Sequence, residues 1–243
     1  MAQENNEKMH LARPRLILVV GPWSSGTTAV SGMLAQMGIN GIGPYFRTND
    51  DRTKNSYESS AFRDVINRLA SEDTLKLSMR RKESIQILMK FKQDLIDQKF
   101  GPVDITGQQP IFLKYPLTAL LIPEICSVFD TRLVYVLRPL KDIEATRTRR
   151  NWRPQFGADG ARRMYSNMFN VLLNLPIPTM MIRYPELLQR PMFYAKQLAN
   201  LAGISPQSEL IQAAADFIAR PDKEARHESA QMDIKPDLQM AKA

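Results

Sequence analysis

The sequence has little cysteine and little histidine. Cys126 is the single cysteine, so the chain cannot form an internal disulfide, and we expect a reducing compartment. The two histidines, His10 and His227, belong to no Cys/His cluster, so we expect no bound zinc or other metal. Because Cys126 stands in an apolar helical stretch, we interpret it as a small core residue rather than as a nucleophile.

The sequence also lacks a hydrophobic run that could span a membrane. The apolar run 16–20 is too short for a membrane span or for the core of a signal peptide. It leads straight into a loop that contains glycine. We therefore expect a soluble, cytoplasmic protein with no transmembrane segment.

Acidic residues are outnumbered by basic ones. The chain has 33 Lys and Arg against 25 Asp and Glu, a formal net charge of +8, which favours an anionic partner. Many basic residues fall in the segment 138–153, but this segment lacks the interleaved aromatic residues of a single-strand binder. No recognition-helix or zinc-finger pattern is present, so we expect a phosphorylated small molecule rather than nucleic acid.

The loop Gly21–Thr28, Gly-Pro-Trp-Ser-Ser-Gly-Thr-Thr, organises the rest of the chain. A β-branched apolar run precedes it and an amphipathic helical pattern follows it, an arrangement that aims backbone N–H groups and a positive helix end at a phosphate. The spacing Gly21-x-x-x-x-Gly26 is that of a phosphate-binding loop, although Thr27 stands where kinases and ATPases of that class carry lysine. The alternative is an ordinary tight turn between a strand and a helix.

The strands and helices alternate along the chain. We predict strands over 15–20, 111–114, 132–138 and 179–183, and helices over 26–37, 57–69, 82–98, 117–128 with an interruption at Pro123, 143–149, 160–173, 193–202 and 208–218. This order predicts an α/β fold, a three-layer α/β/α arrangement around a central parallel sheet. We expect one domain over 15–220, between a flexible N-terminus (1–14) and a flexible tail (221–243).

Three candidate binding elements fall at the carboxyl ends of predicted strands. They are the glycine loop, Lys114 and Arg138. Ligands of such sheets bind off the carboxyl ends of the strands. The convergence of these three elements is stronger support for a site than any one of them alone.

Four separated stretches, together spanning about residues 15–205, resemble sulfotransferases that use 3′-phosphoadenosine 5′-phosphosulfate (PAPS). They are Ser25-Gly26-Thr27-Thr28, similar to the 5′-phosphosulfate loop of that family; the segment 136–146, similar to its 3′-phosphate segment; Asn55-Ser56-Tyr57-Glu58; and the segment 183–191. The resemblance is to divergent bacterial members. It implies a P-loop-like fold and transfer of a sulfuryl group to a hydroxyl or amine of an acceptor, such as a small molecule, a lipid or a carbohydrate. PAPS is then the co-substrate, and no metal is needed.

The resemblance also implies roles for particular residues. The 5′-phosphate would be held by Ser24, Ser25, Gly26, Thr27 and Thr28, and the 3′-phosphate by Arg138 and Thr146. Glu58 is the candidate general base, and Lys114 would steady the sulfuryl oxygens. The family usually has Lys or Arg where this chain has Ser24, so Lys114 is also a candidate replacement for that cation.

Alternatives from the residues themselves remain open. Thr27 and Thr28 could instead form the start of a helix, and Glu58 could stand in the first turn of a helix. Arg138 could form a surface ion pair with Asp142. Lys114 could be a solvated lysine at the end of a strand. Trp23 and Trp152 could stack on adenine or pack in the core. The alternative functions are a P-loop nucleotide kinase or NTPase, and a non-catalytic nucleotide-binding module of the same fold.

Overall fold

The computed structural model describes residues 13–48, 55–102 and 109–219. The strands are β1 (Arg15–Val20), β2 (Asn40–Gly41), β3 (Ala70–Ser71), β4 (Lys76–Leu77), β5 (Ile111–Lys114), β6 (Asp130–Leu137) and β7 (Thr179–Arg183). Strands β3 and β4 form a separate antiparallel pair. The other five form one sheet in the order β2-β5-β1-β6-β7, in which every adjacent pair is parallel. The predicted α/β class with a central parallel sheet is confirmed.

Helices connect the strands. They are α1 (Thr27–Gln36), α2 (Ser60–Leu69), α3 (Arg81–Ile96), α4 (Ile122–Val128), α5 (Leu140–Arg149), α6 (Ala158–Asn174), α7 (Tyr184–Gln189), α8 (Pro191–Ala202) and α9 (Ser208–Ala219), with 3₁₀ turns at Pro116–Leu120 and Pro154–Phe156. None of the helices in the described ranges is long and apolar enough to cross a membrane. The predicted terminal segments 1–14 and 221–243 fall almost wholly outside the described residues.

The central strand β1 divides the core into two layers. Leu16, Leu18 and Val20 pack with residues of α2, α3, α4 and α6 on one face of the sheet. Ile17 and Val19 pack with residues of α1, α8 and α9 on the other face. Successive side chains of a strand point to opposite faces, so a continuous apolar run is what a strand covered on both sides requires.

Three local predictions differ from the structure. The predicted helix 57–69 begins only at Ser60, because Tyr57 has a φ of 56° that a right-handed helix excludes. The predicted helix 117–128 is a 3₁₀ turn followed by α4, with Pro123 in the first turn of α4, where a missing N–H costs nothing. The apolar run 179–183 predicts a buried strand, but β7 lies at the edge of the sheet and Met181 is 50% exposed.

Candidate functional site

The carboxyl ends of β1, β5 and β6 open into a cavity of about 510 Å³. The structure brings eight of the nine predicted site residues to its wall: Ser24, Gly26, Thr27, Thr28, Glu58, Lys114, Arg138 and Thr146. Ser25 is fully buried and does not line the cavity. Residues separated by more than a hundred positions in the sequence therefore meet in one place because three parallel strands end at the same edge.

The glycine loop turns sharply into α1. Gly26 has a φ of 104°, and a Cβ atom there would lie 2.1 Å from the ring of Tyr184, so both the backbone conformation and the available space require glycine. The N–H of Ser25 donates to the carbonyl of Pro22 (3.1 Å) within the turn, so this N–H is not available for a phosphate. Within the described chain, no hydrogen bond is made by the N–H groups of Gly26, Thr27 and Thr28, which are the orphan donors of a helix start.

Ser24 occupies a constrained position between these elements. Its φ is 64°, in the left-handed region, and its carbonyl accepts a hydrogen bond from Nη1 of Arg138 (2.9 Å). The Ser24 hydroxyl is buried, and no partner for it occurs among the described residues. Arg138 therefore braces the loop from the end of the neighbouring strand rather than pairing with Asp142.

Two tyrosines fix Arg138. The backbone N–H of Arg138 donates to the hydroxyl of Tyr165 (2.8 Å), and burial raises the pKa of Tyr165 to about 12, so it stays a neutral hydroxyl. The Arg138 guanidinium lies 5.1 Å from the centre of the Tyr184 ring, a cation–π contact. Arg138 also lines the cavity, and a guanidinium has the donor geometry that suits an anion.

Thr146 lines the same cavity from α5. Its hydroxyl donates to the carbonyl of Asp142 (2.9 Å), one turn earlier in the helix. A hydroxyl has a single proton, so Thr146 must rotate away from Asp142 before it can donate to a phosphate. In this structure the Thr146 hydroxyl is therefore engaged within its own helix.

Lys114 is buried at the junction of the loop and the cavity. Its side chain is 4% exposed, and its ammonium donates to Glu58 Oε1 (2.6 Å), to the carbonyl of Ser56 (3.0 Å) and to Thr28 Oγ1 (3.2 Å). Burial lowers the pKa of Lys114 from its usual value, and the Glu58 carboxylate opposes that shift. The alternative of a solvated lysine at a strand end is wrong.

Glu58 is presented by a tight turn that precedes α2. The side chain of Asn55 accepts the N–H of Tyr57 (2.9 Å), and the hydroxyl of Ser56 accepts the N–H of Glu58 (3.1 Å). Ser59 caps α2 by accepting the N–H of Phe62 (3.3 Å). Glu58 therefore lies outside the helix, and the alternative of a glutamate in a helix first turn is wrong.

The two tryptophans line the cavity and also pack. Trp23 lies 4.4 Å from Phe156 between ring centres, and Trp152 lies 6.2 Å from the same ring. The structure also gives Tyr184 a role that the sequence reasoning missed, since its ring touches both Gly26 and Arg138. The sequence signals for Tyr184 were its place in the segment 183–191, which carries part of the resemblance, and its position directly after β7, the strand beside β6.

Comparisons with known proteins find the fold but no close relative. No family model matches the chain, and no curated protein matches it. Among solved structures, sulfotransferase STF9 from Mycobacterium avium has a TM-score of 0.58 at 15% identity, covering 90% of this chain and 72% of that one. STF1 from Mycobacterium tuberculosis H37Rv has a TM-score of 0.56 at 13% identity (87% and 73% covered). The sulfotransferase domain from the curacin biosynthetic pathway has 0.53 at 18% identity (86% and 79%). The chain has the fold of these bacterial sulfotransferases.

Proposed function

We propose that this protein is a sulfotransferase that moves the sulfuryl group of PAPS to a hydroxyl or amine of a small-molecule, lipid or carbohydrate acceptor. One observation carries the proposal: a buried lysine, a carboxylate and a helix start with unpaired N–H groups meet at one cavity. The similarity in fold to bacterial sulfotransferases supports it.

The donor nucleotide would be held at two points. The N–H groups of Gly26, Thr27 and Thr28, together with the positive end of α1, suit the 5′-phosphate. Arg138 suits the 3′-phosphate, because its guanidinium can form two parallel hydrogen bonds to phosphate oxygens. Thr146 adds a hydroxyl on the same side.

The reaction is an in-line displacement at sulfur. The acceptor oxygen forms a bond to sulfur as the bond from sulfur to the 5′-phosphate oxygen breaks, and 3′,5′-bisphosphoadenosine leaves. Glu58 takes the proton of the acceptor hydroxyl, and Lys114 stabilises the negative charge that develops on the sulfuryl and bridging oxygens. The 2.6 Å contact between these two side chains, which both line the cavity, supports this division of roles.

Two other functions give different binding results. A kinase or NTPase of this loop type uses a lysine where this chain has Thr27, and the cation of this site comes instead from Lys114 on β5. A non-catalytic module is suggested by Ser24, the position where the resembled family has Lys or Arg. The first would bind ATP with magnesium in preference to bisphosphoadenosine, and the second would bind bisphosphoadenosine without transfer.

The test uses the full chain with PAPS that carries a labelled sulfuryl group. The protein is incubated with mixtures of phenols, sugars and hydroxylated lipids, and mass spectrometry follows both labelled products and bisphosphoadenosine. We expect one labelled product for each bisphosphoadenosine formed, and calorimetry should give tighter binding of bisphosphoadenosine than of ATP with magnesium. Tight bisphosphoadenosine binding with no labelled product from any acceptor would favour the non-catalytic module.

A further inference from the structure

A buried row of alternating charges runs from the cavity into the protein. Lys114 Nζ lies 2.6 Å from Oε1 of Glu58, and the other oxygen, Oε2, lies 3.6 Å from Nη1 of Arg63. Nη2 of Arg63 in turn lies 3.4 Å from Oε1 of Glu72. The side chains of Lys114, Glu58, Arg63 and Glu72 are 4%, 10%, 2% and 14% exposed. Each of the two middle charges thus has an opposite charge on both sides.

Arg63 is held on its faces as well as at its ends. Its guanidinium lies 4.2 Å from the ring centre of Phe46 and 5.3 Å from that of Tyr115. The hydroxyl of Tyr115 also donates a hydrogen bond to Glu72. Glu72 in turn contacts Arg63 at the nitrogen that does not face Glu58. A fully buried arginine is rare unless it is paired, and here both rings and both carboxylates contact the guanidinium. Arg63 is not among the described residues that line the cavity.

We propose that Arg63 is a positioning residue that holds Oε2 of Glu58, so that Oε1 stays against Lys114 at the cavity wall. Glu72 keeps Arg63 in place from the side away from the cavity. The role of Glu58 as a base rests on the function proposed above, whereas the effect of Arg63 on Glu58 and Lys114 does not depend on any reaction.

Removing Arg63 should change Lys114 in a measurable way. Three charged groups act on the Lys114 ammonium: Glu58 raises its pKa, whereas Arg150 and Arg63 lower it, in addition to the larger effect of burial. Loss of the Arg63 charge should therefore raise the pKa of Lys114. A freed Glu58 that turns both oxygens toward Lys114 would shift the pKa in the same direction.

Several variants are compared, so that a folding defect in any one of them does not leave the role of Arg63 untested. Arg63→Met removes the charge, and Arg63→Lys keeps the charge without the fork. The double variant Arg63→Met/Glu72→Gln removes one positive and one negative charge together, so the net charge beside the Glu58–Lys114 pair is unchanged. Arg68→Met is the matched control, because Arg68 lies on the same helix, α2, and is exposed.

The first measurement needs no sulfuryl transfer. Lys114 is acetylated with acetic anhydride over a range of pH, and mass spectrometry follows its modification, since only the neutral amine reacts. We expect Arg63→Met and the double variant to label Lys114 about three- to tenfold more slowly than wild type near pH 8, with a half-point at higher pH. A profile unchanged from that of Arg68→Met in both variants would overturn the proposal.

The second measurement separates positioning from stability. In the folded double variant, the dissociation constant for bisphosphoadenosine should stay within about twofold, while kcat falls about 10- to 100-fold, as expected for a displaced catalytic group. Arg63→Lys should recover part of that loss. Equal weakening of donor binding and rate, with no recovery by lysine, would make Arg63 a structural residue only. If wild type transfers no sulfuryl group, the proposed function fails, and the acetylation profile still decides the role of Arg63.

Discussion

The ammonium of Lys114 lies 3.2 Å from Oγ1 of Thr28. This contact joins the end of β5 to the first turn of α1, although the two residues are 86 positions apart. The contact places the Lys114 ammonium beside the glycine loop. In this chain that loop has the uncharged Ser24 where the resembled family has Lys or Arg.

Arg138 should give the site a preference for 3′,5′-bisphosphoadenosine over ADP, which lacks the 3′-phosphate. Arg138→Ala should remove most of that preference, on the order of 1.5–3 kcal/mol for a charge-assisted contact. Calorimetry with both nucleotides measures it, and Arg162→Ala, an exposed arginine paired with Asp159 on α6, is the control. Equal affinity of the wild type for the two nucleotides would remove the 3′-phosphate assignment.

Glu58→Gln should lower turnover and leave donor affinity nearly unchanged, because an amide cannot accept the acceptor proton. Loss of a general base costs about 10²–10⁴-fold in rate. Steady-state rates and bisphosphoadenosine binding are compared with those of Asp64→Asn, an exposed acid on α2. Unchanged turnover of Glu58→Gln with a proven acceptor would show that Glu58 is not the base.

Gly26→Ala should damage the loop more than Gly38→Ala does. Both glycines have positive φ values, 104° and 80°, but a Cβ atom at Gly38 meets nothing within 4 Å, whereas one at Gly26 meets the Tyr184 ring. The backbone cost, about 1–2 kcal/mol, is therefore common to both variants. Melting temperatures and nucleotide affinities should fall further for Gly26→Ala, and equal losses in the two variants would contradict the role given to Tyr184.

Cys126 should react slowly with alkylating reagents. Burial raises the pKa of its thiol to about 11, and only the thiolate reacts, so at pH 8 we expect a rate about 100-fold below that of an ordinary exposed cysteine. The rate should rise steeply between pH 8 and 10. Iodoacetamide labelling of the native and the denatured chain measures the difference, and equal rates would place Cys126 at the surface.

Much of the fold could be predicted because its strands are short apolar runs between helical patterns. The run 16–20 packs on both faces, and Arg138 follows a strand that lies beside it. The order of the strands could not be read, since it depends on which helices cover which face. The small strands β2, β3 and β4 have only two residues each, too few for a periodic signal.

The sequence predicted those residues of the candidate site that stand at the end of a strand. It did not predict a residue whose burial depends on how helices and loops pack together. Lys114 and Arg138 belong to the first kind. Arg63 belongs to the second: it stands beside the apolar Phe62 on α2, and its burial depends on Glu58 and Glu72, which lie before and after the helix. The start of α2 was misplaced because hydrophobic spacing does not reveal the left-handed φ of Tyr57.

The central claim is that Lys114 supplies the positive charge that the resembled family carries in the loop, at the position of Ser24. A double-mutant cycle tests this claim most directly. The rate of bisphosphoadenosine formation from PAPS with a proven acceptor is measured for wild type, Ser24→Lys, Lys114→Ala and the double variant. Ser24 and Thr28 both line the cavity, so we expect a lysine at position 24 to reach the same developing charge. We predict that Lys114→Ala is nearly inactive and that adding Ser24→Lys restores part of the rate. If Ser24→Lys neither speeds the wild type nor rescues Lys114→Ala, the proposed placement of the sulfate donor on the loop is wrong.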